Sequence, residues 1–138
     1  MSGFEDWMGT IAEMLELETS PESTDGVSLV KTLKGEEQPE RPFLYREFSG
    51  YGGQQSIRVG DWKAIRQNMN KGNVKLELYD LASDKNESIN VAEQNSEMVA
   101  KLEQLMTEQH VKSELYPLRP FDAPALKPKK PKKPQKAK

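Results

Sequence analysis

Apolar positions recur with helical spacing at both ends of the chain and alternate with polar positions in its middle, which predicts a helix, then a sheet, then a second helix. Near the amino terminus, four apolar residues share one helix face through their i, i+4, i+7 and i+8 spacing. These residues are Trp7, Ile11, Met14 and Leu15. Ser2 and Glu5 precede them with the spacing of a capping box, and this helix is expected to end near residues 19–21.

The middle of the chain reads as antiparallel sheet. Runs of β-forming residues bounded by turn residues predict strands over residues 43–48, 54–59, 62–67 and 76–80. Glycines form a loop at residues 49–53, Gly60 and Asp61 form a tight hairpin turn, and residues 70–73 form a wider turn.

A second amphipathic helix follows the predicted strands. Asn95 or Ser96 caps it, it runs to about His110, and its apolar stripe can cover one face of the sheet. The stripe consists of Met98, Val99, Leu102, Leu105 and Met106. A short helical turn is expected within residues 27–33, and residues 116–121 are expected to be extended. These elements predict an α+β fold in which a four-stranded antiparallel sheet packs on a carboxy-terminal helix.

Charge is distributed unevenly between an acidic body and a basic tail. The net charge is -2, residues 123–138 contain seven lysines and no acid, and the remaining residues therefore carry -9. Lysine and proline dominate residues 126–138, which predicts a disordered tail of polyproline-II character. The tail is either simply solvated or binds a polyanion electrostatically. It has no interleaved aromatic residues, so a nucleic-acid partner is not favoured.

Composition excludes several classes of site. The chain has no cysteine, so disulfides, thiolate zinc sites and cysteine nucleophiles are excluded. No apolar run approaches the length of a transmembrane helix, and no membrane partner is expected. The first ten residues lack the basic and apolar regions of a secretory signal.

Five segments, in this order, resemble the end of a sulfatase of the arylsulfatase type, in the formylglycine-dependent, alkaline-phosphatase-like superfamily. Asp6 to Thr10 resembles the family's Asp-x-x-Pro-Thr helix, with Gly9 in place of proline. The other segments are DGVSLVKTLKG at residues 25–35, FLYREF with GQQSIR at 43–58, GDWKAIR at 60–66, and ELYDL with its following acidic residues at 77–92.

The resemblance implies a division of the chain into three parts. Residues 1–35 would be a helix and loop of the larger α/β catalytic domain, 36–121 the carboxy-terminal subdomain, and 122–138 the disordered tail. The family's formylglycine arises from a Cys/Ser-x-Pro-x-Arg motif that this sequence lacks, so no catalytic residue is assigned here. Calcium and formylglycine are expected only in the full-length enzyme, which would be periplasmic or secreted.

The resemblance also implies candidate substrate contacts near the first hairpin. Tyr51, Gln54 and Arg58 are candidates for the substrate rim, where they would contact a sugar or aryl group. Lys63 and Arg66 are candidates for contact with a sulfate anion. The alternatives are a solvated glycine loop and a turn that only packs Trp62 on the sheet.

Three further patterns favour ordinary structural interpretations. Asp80 and Asp84 lack the register of a calcium-binding loop, so an acidic turn is favoured and no metal ligand is assigned. Asn86 lies in an N-glycosylation sequon, which is a short and common pattern. His110 is interpreted as a histidine near the negative end of a helix dipole.

Two hypotheses of function follow. In the first, the chain is the carboxy-terminal subdomain of a sulfuric ester hydrolase, edges the substrate cleft, and requires a missing amino-terminal domain for activity on sulfated carbohydrates or aryl sulfates. In the second, it is a stand-alone, non-catalytic module that binds sulfated or other anionic polymers through the 49–58 loop and the lysine tail.

Overall fold

The computed structural model describes residues 1–17 and 25–127, and the chain divides into two units, Met1–Leu44 and Tyr45–Lys138. The predicted disorder of the tail beyond Lys127 falls outside the described residues. Within the described part, no helix is both long enough and apolar enough to cross a bilayer.

The first helix, α1 (Asp6–Met14), is shorter than the sequence predicted. It ends in a Schellman motif, in which Glu16 adopts the left-handed conformation with φ of 53°. The Leu17 amide then donates to the carbonyl of Ala12 at 2.8 Å. The predicted end at residues 19–21 is therefore wrong, because a glutamate fills a position that glycine usually marks. The predicted capping box is also absent, since no side chain caps α1.

The buried side of α1 is polar. The Asp6 carboxylate accepts hydrogen bonds from the amides of Gly3 at 2.7 Å and Val27 at 2.9 Å. The Thr10 hydroxyl accepts one from the Leu29 amide at 2.9 Å. These bonds attach residues 25–29 to α1, and the short helix α2 (Val30–Leu33) follows them.

The predicted apolar stripe of α1 faces outward. Trp7 is 52% exposed and Ile11 is 51% exposed, and Met14 and Leu15 are exposed as well. The helix is amphipathic as predicted, but its burial is inverted, because Asp6 and Thr10, together with the small residue Ala12, form its buried side.

Four strands form one antiparallel sheet in the order in which they occur along the chain. They are β1 (Leu44–Phe48), β2 (Gln54–Val59), β3 (Trp62–Gln67) and β4 (Glu77–Asp80). The predicted hairpin turn joins β2 to β3, and Gly60 has φ of 56° there, a conformation that costs glycine little. The register pairs Arg58 with Lys63 and Ile57 with Ala64.

The helix α3 (Ser96–Gln109) packs on β2 and β3, as the sequence predicted. Leu102 and Met106 are fully buried against the sheet. The sheet contributes Ile57, Ala64 and Leu78 to the same core. The expected α+β fold, a four-stranded antiparallel sheet with a carboxy-terminal helix and a preceding helix, is confirmed.

Residues 111–126, here the C-terminal segment, return along the unit after α3. Leu118 is buried, and the Asp122 amide donates to the Leu118 carbonyl at 3.0 Å, so the segment turns where an extended chain was predicted. The Leu126 amide donates to the Asn70 carbonyl at 2.7 Å, which fixes the end of the segment at the turn between β3 and β4.

Candidate functional site

The sheet has one face covered by α3 and one open face, and the candidate residues divide between them. Gln55, Ile57, Ala64 and Arg66 are buried on the covered face. Since side chains alternate along a strand, Gln54, Arg58 and Lys63 lie on the open face, where each is partly exposed. The structure therefore brings three of the five candidates onto one surface.

Arg58 and Lys63 lie directly opposite each other on β2 and β3. The Arg58 Nε donates to the Gly60 carbonyl at 2.8 Å, and its guanidinium lies 3.9 Å from the Asp61 carboxylate. The Lys63 ammonium donates to both carboxylate oxygens of Glu87, at 2.6 and 2.7 Å. Both cations are partly exposed, and each already has a carboxylate partner.

Tyr51 lies in the glycine loop between β1 and β2 and is 88% exposed. Its backbone has φ of 45°, a left-handed conformation that is uncommon for a residue other than glycine. Its ring centroid is 5.7 Å from that of Phe48. The Asn70 side chain donates to the Ser49 carbonyl at 3.0 Å, and the Asn70 backbone amide donates to the Gly52 carbonyl at 2.7 Å. These two bonds fix the loop to the turn after β3. An exposed ring on a fixed loop can stack on a sugar or aryl ring.

A shallow cavity of about 390 Å³ lies beside this loop. Residues of β1 and β2 and one residue of β3 line it. They include Arg46, Phe48, Gln54, Ser56 and Ile65. Gln54 therefore lines a cavity that has both apolar and polar walls.

Arg66 lies on the covered face, apart from the other candidates, and is 3% exposed. Its guanidinium donates to the Val74 carbonyl at 3.0 Å, to the Gln55 side chain at 2.8 Å and to the Glu103 carboxylate. It also lies over the Phe121 ring, 5.5 Å from the centroid. These contacts describe an arginine that joins the sheet, α3 and the C-terminal segment.

Arg66 begins a polar network that sequence reasoning missed. Gln55, which accepts from Arg66, donates to the Tyr45 hydroxyl at 2.8 Å, and Tyr45 donates to Glu47 at 2.5 Å. His110 then lies between two carboxylates, 2.8 Å from Glu47 and 2.9 Å from Asp122. The network connects β1, β2, β3, α3 and the C-terminal segment.

The network changes the protonation behaviour of its members. Burial works to lower the pKa of His110, but the hydrogen bonds and charges of Glu47 and Asp122 outweigh it and raise that pKa. Burial works to raise the pKa of Asp122, but hydrogen bonds from Leu118 and His110 hold it below its usual value. His110 is therefore more than a helix-end histidine, because it fastens the C-terminal segment to the sheet.

The motif that carries the resemblance at the amino terminus is a second polar cluster. Burial works to raise the pKa of Asp6, but hydrogen bonds from Gly3, Val27 and Arg41 hold it below its usual range. The Arg41 guanidinium also donates to Glu5 at 3.1 Å. Gly26 is required here, because a Cβ at this position would lie 2.1 Å from the Glu5 carbonyl oxygen.

The acidic turn after β4 does not fit calcium. Asp84 accepts hydrogen bonds from the amides of Asn86, Ser88 and Ile89, and the bond from Ile89 contributes most to lowering its pKa. Its oxygens are therefore directed at the backbone. Among residues 1–17 and 25–127, no group of three or more His, Asp or Glu residues could hold a metal ion.

No protein-family model and no curated protein matches the chain. Solved structures do match it. A Bacteroides thetaiotaomicron 6S-sulf protein, described with the metabolism of multiple glycosaminoglycans, is 26% identical, with a TM-score of 0.57 over 75% of this chain. A protein solved in complex with its substrate D-glucosamine-2-N,6-O-disulfate is 23% identical, with a TM-score of 0.63 over 75% of this chain. The yidJ sulfatase of Bacteroides fragilis is 17% identical, with a TM-score of 0.59 over the same share.

The chain has the fold of a sulfatase carboxy-terminal region. It spans about a quarter of the solved chains that it matches, with 24%, 22% and 23% of their respective lengths covered. Within this sulfatase region, the structure gives the Asp6 and Thr10 motif a structural role, and it joins Gln54, Arg58 and Lys63 on one open face.

Proposed function

We propose that the chain is the carboxy-terminal region of an arylsulfatase-like sulfuric ester hydrolase, which completes the fold of an amino-terminal catalytic domain and edges its substrate cleft. On this proposal residues 1–35 continue the catalytic domain, residues 36–121 form the subdomain, and residues 122–138 form a tail. The chain has no Cys/Ser-x-Pro-x-Arg motif from which the family's formylglycine nucleophile could arise, so on this proposal it is not catalytic alone.

The observation that carries this proposal is the inverted burial of α1. Asp6 and Thr10 are buried, whereas Trp7 and Ile11 are half exposed. Large apolar side chains in one exposed patch are uncommon on monomeric soluble proteins and are typical of an interface. A catalytic domain that covers this face of α1 would bury Trp7 and Ile11, which no contact within the described residues fully covers. The resemblance to about a quarter of each sulfatase chain supports such a partner over a stand-alone binding module.

The open face gives the chain its share of substrate recognition. Tyr51 stacks on a sugar or aryl ring, Gln54 bonds hydroxyl groups, and Arg58 with Lys63 contacts a sulfate group. Arg66 acts differently in this proposal, because its guanidinium holds Gln55 and α3 in place behind these residues. Sulfated carbohydrates are the favoured substrate class, since similar structures are described with glycosaminoglycan metabolism and with a disulfated glucosamine.

The test begins with the coding region directly upstream, which should encode a Cys/Ser-x-Pro-x-Arg motif. The upstream product and this chain, expressed together, should associate and hydrolyse an aryl sulfate, and this chain alone should give no turnover. The double variant W7E/I11E should abolish both association and turnover.

The matched control is V111E/L115E, which places the same charges on two apolar residues that are also exposed. It should leave association and turnover unchanged. An upstream product that lacks the motif, or a W7E/I11E variant that associates normally, would refute the proposal.

A further inference from the structure

Asn70 makes hydrogen bonds on two sides of the turn between β3 and β4. Its side chain donates to the Ser49 carbonyl at 3.0 Å, and its backbone amide donates to the Gly52 carbonyl at 2.7 Å. Its own carbonyl accepts a bond from the Leu126 amide at 2.7 Å. One residue therefore joins the glycine loop that carries Tyr51 to the end of the C-terminal segment.

The glycine loop packs closely against this asparagine. Gly53 has φ of 78°, and a Cβ there would lie 3.0 Å from Oδ1 of Asn70. Met69 is fully buried, and its amide donates to the Gly53 carbonyl at 3.1 Å. Because the Tyr51 side chain is exposed, bonds from Met69 and Asn70 to the loop backbone determine where its ring is held.

The C-terminal segment is attached to the end of α3 through His110. The Nε2 atom of His110 lies 2.9 Å from a carboxylate oxygen of Asp122. The Phe121 ring centroid is 5.9 Å from that of the His110 ring. The contact at His110 and the bond to Asn70 therefore hold the two ends of one short stretch, residues 122–126.

The strength of the attachment at His110 depends on its charge. The protonated ring donates to Glu47 of β1 and to Asp122 together, whereas a neutral ring donates to one of them and turns a lone pair toward the other. Burial works to lower the pKa of His110, but the two carboxylates outweigh it and raise that pKa. The further charged and titratable groups of this network are Tyr45 of β1, Arg66 of β3 and Glu103 of α3.

We propose that Asn70 is the positioning residue of the Tyr51 loop, and that the C-terminal segment holds Asn70 in place under the control of His110 protonation. Protonated His110 fixes residues 122–126, and the Leu126 amide then keeps Asn70 against the loop. Loss of the proton loosens the segment and lets the loop move. This inference rests on the proposed function for the role of Tyr51 in substrate binding, and it adds a pH-dependent regulation of that site.

A spin label on the loop measures its order directly. The chain has no cysteine, so Tyr51→Cys gives the full chain a single site for a nitroxide. In this background Asn70→Ala should raise the ratio of mobile to ordered label about fivefold, the effect of one lost hydrogen bond. Leu126→Pro removes the amide that donates to Asn70 and should raise the ratio by a similar factor.

Asn73→Ala is the matched control for Asn70→Ala. Asn73 belongs to the same turn, and its side chain donates to the Gln67 carbonyl at 2.8 Å, within the turn itself. Its replacement should change the ratio less than about twofold. Equal mobility of the loop label in the Asn70 and Asn73 variants would overturn the proposal.

The pH profile separates the proposed regulation from a purely structural role. The ratio should rise about fivefold between about pH 6 and about pH 9, and His110→Gln should give the same ratio at both. A label at Ile89→Cys, an exposed position in the turn after β4, should show no pH response. A response that persists in the His110 variant, or that is equally large at residue 89, would overturn the proposal.

The assembled enzyme tests the consequence for substrate. With the upstream product present, Asn70→Ala should raise KM for an aryl sulfate about threefold or more and leave kcat unchanged, because stacking on Tyr51 binds substrate and transition state alike. Asn73→Ala should change neither constant. An unchanged KM in the Asn70 variant would overturn the proposal. The spin-label measurements need no catalytic domain, so they decide the coupling even where the upstream product fails to associate.

Discussion

Asp6 is the residue on which the first unit depends. Its carboxylate is buried and binds the amides of Gly3 and Val27 together with the Arg41 guanidinium. The Arg41 side chain is itself 9% exposed, so the two charges neutralise each other away from water. Loss of Asp6 leaves Arg41 paired with Glu5, but it removes the acceptor of the Gly3 and Val27 amides.

Replacing Asp6 with alanine should therefore release residues 25–29 from α1. We expect a cost of about 1–3 kcal/mol in local stability, because the amides of Gly3 and Val27 lose their acceptor and Arg41 keeps Glu5 as its anionic partner. Amide hydrogen exchange at Val27 and Leu29 measures this directly. Asp25→Asn, a change at an exposed carboxylate, is the control and should leave both rates unchanged. Unchanged exchange in the Asp6 variant would contradict this role.

His110 shows why part of the site was beyond sequence reasoning. Its two carboxylate partners lie 63 and 12 residues away along the chain. No local pattern marks either pair, because the contacts form only when β1 and the C-terminal segment meet the end of α3. The same holds for Arg66, which sequence resemblance suggested as an anion contact and which binds Gln55 and Glu103 in the fold.

The stability of the second unit should fall as the pH rises above neutrality. The raised pKa of His110 means that its contribution is fully present below the unfolded-state pKa of about 6.5 and is lost as the pH rises through the folded-state pKa. The lowered pKa of Asp122 acts in the opposite sense, since its contribution is lost as the pH falls below about 3.9 and through the folded-state pKa. Between about pH 3.9 and about pH 6.5, both His110 and Asp122 contribute their full stabilisation.

Urea unfolding at about pH 6 and about pH 9, followed by Trp62 fluorescence in a Trp7→Phe background, tests this window. The loss between the two should be about 1 kcal/mol, the order of one hydrogen bond. His110→Gln should remove that part of the pH dependence, while Glu114→Gln, at an exposed carboxylate, should leave it unchanged. The same pH response in the His110 variant and in the wild type would show that another group is responsible.

For the strands and helices, β-forming runs and turn chemistry predicted most of the fold. The strands were found within one residue of their predicted bounds, because those runs and the Gly60 turn fix both strand ends and register. The end of α1 was not predictable in the same way. Glu16 takes the left-handed position that glycine usually marks, so the sequence carries no signal for it.

The packing of α3 on the sheet supplies the core of the second unit. Leu102 is fully buried, whereas Leu115 is 85% exposed in the C-terminal segment. We expect Leu102→Ala to cost about 2–5 kcal/mol through lost burial and the cavity left behind. Leu115→Ala should cost less than about 0.5 kcal/mol. Urea unfolding of both variants compares them, and similar values would contradict the assigned packing of α3.

At the scale of the whole molecule, the chain combines a folded sheet unit with a helix whose apolar side is exposed. The helical period of Trp7, Ile11, Met14 and Leu15 was correctly predicted from the sequence. That pattern did not determine which side of α1 is buried within the chain, because amphipathic periodicity does not say which neighbour covers the apolar face. The buried Asp6 and Thr10 show that contacts within the unit come from the other side.

The isolated chain should therefore bind a hydrophobic dye. Exposed apolar side chains occur at Trp7, Met8, Ile11 and Met14. The W7E/I11E variant should lose most of the dye fluorescence, since it places charge in the centre of the patch. V111E/L115E should retain it. Equal fluorescence from the two variants would mean that the dye binds elsewhere.

On the proposed function, the exposed face of α1 docks onto a sulfatase catalytic domain, with the Tyr51 loop at the cleft. Amide hydrogen exchange of the full chain, with and without the upstream-encoded domain, tests it most directly. Exchange should slow in residues 4–17 and 49–53 when the domain is present, and it should be unchanged in residues 111–116. Exchange in residues 4–17 that is the same with and without the domain would contradict it.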